Sequence, residues 1–226
     1  MTIDNDDLIN SIMASLGRID AISLSEIPNI DLYMDQVTSF MNERLKKTTR
    51  HPETDKIMTK TMINNYAKNN LLPPPEKKKY SRDHMILLIV IYYLKNILSI
   101  NDIQTLIEPL KRRFNAPEGK QDLSSLYETL YQLQEECLDP VKEDITKRYE
   151  RAMETFGDPD ISEDEREKMH LFSFIALLSY DVYVKKLLIE KILDNMIDAE
   201  EKEKKSSKEK TSKEKSSKEK QSKDKN

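Results

Sequence analysis

The chain of 226 residues carries 37 Lys and Arg against 41 Asp and Glu, a formal net charge of -4, with three glycines and no tryptophan. That length allows one large domain or two small ones with a real core, and a glycine-poor composition rich in helix formers excludes a turn-rich sheet protein. The fold class expected is all-α, and Cys137, the single cysteine, excludes an internal disulfide.

The acidic opening "MTIDNDDLIN" lacks the basic start of a secretory signal, and the longest apolar run, Met85 to Leu94, covers about half of a bilayer crossing. A reducing cytoplasm is the expected setting, with no membrane partner. The charge is segregated. Residues 1–43 hold one basic side chain against eight acidic ones, residues 44–82 eleven against three, residues 83–200 fourteen against twenty-four, and residues 201–226 eleven against six. A local basic segment inside an acidic protein is the footprint of a polyanion contact.

In chain order, Leu8, Ile9, Ile12, Met13 and Leu16 predict a short amphipathic helix over residues 5–16. Tyr33, Val37, Phe40, Met41 and Leu45 mark a second helix, with Asp31 as its possible N-cap. Thr59 is placed to cap a third, in which Ile63, Tyr66, Ala67 and Leu71 share one face and Lys60, Thr61, Asn64, Asn65 and Lys68 look outward. Pro73, Pro74 and Pro75 are expected to end it. Ser81 opens the run "MILLIVIYYLKNIL", apolar on nearly all sides and so central, and Ser99 with Asp102 opens a further helix. Leu123, Leu126, Leu130 and Leu133 begin a long helix in which Pro140 breaks or bends the run. Ser162 and Glu165 open a last one, expected to bury some combination of Phe172, Ile175, Leu178, Val182, Leu187, Ile189, Ile192 and Met196. The two long helices should pack antiparallel. From Ser206 a five-residue Ser-Lys-Glu unit repeats with nothing apolar to bury, which predicts a disordered tail that either solvates or tethers to polyanions.

Catalysis finds little support. His51, His84 and His170 are scattered, Cys137 has no activating neighbour, and no phosphate-cradling glycine loop exists. "DPDISEDERE" departs from a calcium loop at Glu163 and Met169, where glycine and glutamate are required. No enzyme activity, metal or cofactor is expected.

The order of capped helix, "NNLLPPP", basic hairpin or loop, "YS", apolar helix and "LSINDIQTLI" resembles the reading head of MerR-type regulators over roughly residues 31–110. Met58 and Thr59 stand at that family's turn and N-cap, and Leu71, Leu72, Pro73, Tyr80, Ser81, Ser99, Ile100 and Ile103 fall on matching positions. Asn64, Asn65 and Tyr66 stand where it usually has Arg-Tyr-Tyr, Asn70 stands at its usual glycine, and the wing is shorter. The stretch from "IPNIDLYMDQVTSFM" to "INDIQTLI" is similar to the bacterial family called domain of unknown function 1836. The resemblance implies a winged helix-turn-helix head and a homodimer through C-terminal helices.

The residues argue the same way without it. Thr61, Asn64, Asn65 and Lys68 suit major-groove edges, where Asn pairs bidentately with adenine. Lys60 flanks them, and Lys77, Lys78, Lys79 and Arg82 follow to hold phosphates. The organisation expected is a short helix and linker over 1–30, a head over 31–115, a helical assembly region over 116–200 and a tail over 201–226. The function expected is sequence-specific binding of double-stranded DNA in transcriptional regulation. The alternative is a protein-protein module on the same scaffold.

Overall fold

The computed structural model describes residues 5–16, 21–117, 122–157 and 160–223. Among them are seven helices and one two-stranded ribbon, so the protein is mainly α. Two compact units divide the chain, residues 1–182 and 183–226.

In the first unit, α1 (Asn5–Leu16) precedes a 3-10 turn at Leu24–Glu26. Strand β1 (Leu32–Tyr33) leads directly into α2 (Met34–Leu45). Asp31 does not cap α2. The strand takes Leu32 and Tyr33 first, and Gln36 Oε1 accepts the Tyr33 N–H at 2.9 Å to close the helix start. α2 buries Val37, Met41 and Leu45 and packs against α3, β1 and β2.

Thr59 caps α3 (Lys60–Lys68) as the sequence implies, its Oγ1 accepting the Met62 N–H at 3.2 Å. The end of α3 differs from expectation. Asn70 turns into the left-handed region (φ 56°), its N–H reaches Ala67 O at 3.1 Å, and Leu71 N–H reaches Tyr66 O at 2.8 Å. These two bonds form a Schellman motif, so the helix is already closed before Pro73. Asn is the non-glycine residue best suited to that geometry, which is why it can stand where a glycine is usual. Leu71 and Leu72 then enter the core.

The basic stretch that follows is a tight hairpin. Lys79 N–H bonds Glu76 O at 2.9 Å around Lys77 (φ 49°) and Lys78 (φ 65°), and β2 (Lys79–Tyr80) pairs antiparallel with β1. Ser81 opens α4 (Arg82–Leu94), which buries eight of its thirteen residues and packs against α5, α6 and β2. Its apolar circumference thus dictates its central place. α5 (Ile100–Lys111) is closed at its start by Ser99 and Asp102, each accepting the other's backbone N–H at 3.2 Å.

Asp122 caps α6 (Leu123–Met153), which runs unbroken through Pro140. The first turns of α6 are pinned by Tyr127, whose hydroxyl donates to Ile22 O at 2.6 Å and whose burial pushes its phenol far above the ordinary range. Leu130 and Leu133, by contrast, face solvent. The last turns of α6 form a second core with α1 and the start of α7: Ile9, Tyr149, Ala152 and Phe174, backed by Ile145 and Leu178. Tyr149 and Phe174 meet edge-on at 5.4 Å. Arg148 reaches Asp181 at 3.3 Å and Thr155 reaches Ser173 at 3.3 Å, the crossed numbering of an antiparallel pair.

α7 (Glu163–Lys223) passes from the first unit into the second. Ser162 Oγ accepts the Glu165 N–H at 3.3 Å at its start. The residues it was expected to bury are largely exposed: Phe172, Ile175 and Val182 in the first unit, Leu187 and Ile192 in the second. In the first unit α6 and α1 cover only the face holding Phe174. In the second unit Leu193 is buried and Ile189 and Met196 are half-buried, while Leu187 and Ile192 stay exposed. Its backbone continues as helix to Lys223, across the repeat for which composition predicts disorder. Lys and Glu are good helix formers, but the repeat has nothing apolar with which to hold a helix in place.

Candidate nucleic-acid interface

The outward face of α3 is as expected: Lys60, Thr61, Asn64, Asn65 and Lys68 are all exposed, while Ile63 and Tyr66 are buried beneath them. Lys60 Nζ lies 3.1 Å from Asp35 Oδ1, an exposed ion pair that costs little to exchange for another anion. The basic hairpin divides. Lys77 and Lys78 are exposed at its tip. Lys79 is half-buried, its Nζ 5.4 Å from the centre of the Tyr33 ring.

Arg82 is half-buried at the first position of α4. Its Nη2 donates to Leu24 O at 2.5 Å and its Nε is buried with no partner among the described residues. It ties the first turn of α4 to the segment before β1, so seven of the nine expected residues are exposed while Lys79 and Arg82 are half-buried. Because α3 and β2 both pack on α2, the outward face of α3 and the hairpin are carried by one scaffold.

His84 explains how the hairpin is joined to α4. It is 3% exposed, and its Nδ1 accepts the Ser81 N–H at 3.0 Å, the role a Glu plays in a capping box. Nε2 then carries the proton and faces Pro74 O at 3.4 Å. Burial pulls the imidazole below its ordinary pKa, against the opposing pull of the Pro74 and Pro73 carbonyls. The ring sits edge-on to Tyr80 at 5.4 Å and to Phe114 at 4.6 Å. His170 is likewise structural, with Nε2 2.9 Å from Thr155 O. Cys137 is exposed.

Two features escaped the sequence reading. α1, α6 and α7 line a half-open, wholly apolar pocket of about 370 Å³ within the first unit. Arg50, Lys56 and Lys95 converge on a second, polar pocket of about 400 Å³ beside the loop that leads into α3. The basic count over residues 44–82 flagged the first two of these cations without showing that they meet Lys95. No helix among the described residues is long and apolar enough to cross a membrane.

The fold is thus a mainly helical domain with a capped surface helix, a basic hairpin and a buried central helix. Residues 22–130 match the family described as domain of unknown function (DUF1836). The match begins before β1 and reaches into α6, beyond the stretch on which the sequence resemblance rests. No curated protein and no solved structure matches the chain.

Proposed function

We propose that residues 31–115 are a winged helix-turn-helix head of MerR-like type that binds double-stranded DNA with sequence specificity, and that the protein regulates transcription. The observation that carries this reading is the pairing of the exposed α3 face with the Lys77–Lys78 hairpin tip on one scaffold. Thr61, Asn64 and Asn65 offer hydroxyl and amide groups to base edges, and Lys60, Lys68, Lys77 and Lys78 offer charge to phosphates. Lys77 and Lys78 occupy backbone that lysine rarely adopts, and such strain gathers at functional sites.

The test is fluorescence anisotropy of the full chain against genomic fragments and a random duplex at several salt concentrations. A specific reader binds some fragments far more tightly than random DNA, with a steep salt dependence. Replacing Lys77 and Lys78 by Ala reduces the salt slope by about 1 for each phosphate left without its lysine. Absence of binding at low salt overturns the reading.

A second reading has its own observation. The exposed Tyr183, Val184, Leu187, Leu188 and Ile192 cluster on one side of the second unit's helix, as expected of a helix that pairs with another chain. Pairing with a second copy makes a homodimer and sets two heads on half-sites spaced by about one helical turn of DNA or a multiple of it. Pairing with another protein makes the chain an interaction module.

A further inference from the structure

We propose that the pocket formed by the loop before α3 and the end of α4 is a binding site for the phosphate group of a small phosphorylated metabolite. Its donors come from two elements: Arg50 and Lys56 from the loop, and Lys95 and Asn96 from the residues that close α4. Of the three cations only Lys95 is half-buried. Its Nζ donates to Ile57 O at 3.0 Å and lies 4.7 Å from the centre of the Tyr92 ring, so its partners are a carbonyl and a π face, neither carrying a full negative charge. It forms no ion pair among the described residues, and neither do Arg50 and Lys56. Three cations therefore share one concavity without a bound carboxylate, where a half-buried ammonium gains most from an anion.

The remaining lining defines the chemistry further. Thr48 Oγ1 donates to Leu45 O at 2.7 Å and Thr49 Oγ1 donates to Lys46 O at 3.0 Å, so both threonine protons are already engaged. The donors left for an oxyanion are the three cations and the Asn96 amide. Asp55 also lines the pocket, but its Oδ2 accepts the His51 N–H at 3.0 Å and so is partly satisfied within the loop. Three positive charges against one negative favour a phosphate group over a monocarboxylate. The volume of about 400 Å³ is that of a small metabolite. The site shares no residue with the α3 face or the hairpin tip, so it can be tested independently of DNA binding.

Inorganic pyrophosphate is the probe, titrated into the full-length protein at fixed ionic strength and followed by calorimetry and thermal melting. Saturable binding of one equivalent is expected, with a rise in Tm of a few degrees at saturation. The double substitution Arg50→Ala and Lys56→Ala, on exposed loop positions, is expected to weaken binding at least tenfold and to leave the unliganded Tm unchanged. The substitution of Lys77 and Lys78 by Ala should leave pyrophosphate binding intact. No saturable binding by the unsubstituted protein, or equal binding by the Arg50/Lys56 variant, overturns the proposal. Loss of duplex DNA affinity in that variant, with no pyrophosphate binding by the parent, also overturns it and reassigns these cations to the DNA backbone.

Discussion

Protonating His84 should weaken the fold, and by an amount that can be isolated. In the neutral ring Nδ1 accepts the Ser81 N–H; in the charged ring Nδ1 donates instead, to the Ser81 Oγ at 2.9 Å, so the Ser81 N–H loses its acceptor and the charge must be buried. Its pKa in the fold lies below the ordinary value of 6.5, so between the two values the unfolded chain binds more protons. Stability from this group is therefore complete above about pH 6.5 and declines as pH falls below it, with a slope of at most about 1.4 kcal/mol per pH unit. His84→Gln keeps an acceptor for the Ser81 N–H but does not titrate, and it loses the edge contacts to Tyr80 and Phe114, at a cost of about 1–3 kcal/mol. Urea denaturation followed by circular dichroism from pH 8 to pH 5 compares the two. The parent should lose stability below pH 6.5 faster than the variant, whatever the offset between them at pH 8. Parallel profiles would refute the argument, because His84 would then be indifferent to its own charge.

Two further outcomes follow from particular residues. Replacing Lys77 and Lys78 by Gly should raise stability by about 0.5–1 kcal/mol per site by relieving left-handed backbone, while lowering DNA affinity through the removal of charge; a fall in urea midpoint would contradict the strain argument. The full chain should run as a dimer in light scattering, and Leu188→Glu with Ile192→Glu should convert it to a monomer with unchanged helix content. A monomeric parent at micromolar concentration removes the homodimer from the second reading.

Local chemistry was legible in the sequence. Thr59, Ser81, Ser99 and Ser162 each mark a helix start because capping involves only the next three or four residues. The central place of α4 followed from its composition, and the outward face of α3 from its period. The hydrogen-bond partners were not legible. The N-cap assigned to Asp31 gave way to a strand because Leu32 and Tyr33 pair with residues nearly fifty positions on. The bond from Arg82 to Leu24 O was hidden as well, because that oxygen comes within reach only in the folded chain.

What the sequence by itself determined is therefore the helical class, most helix starts and the basic segment that precedes α4, since each depends on residue type and near neighbours. Tertiary structure decided the rest. It buried Phe174 of α7 and left Phe172, Ile175 and Val182 exposed, because the period of a helix says which residues share a face and never which face finds a neighbour. It brought Lys95 to Arg50 and Lys56, because a pocket is made by elements that are distant in the chain and close only when the core has formed.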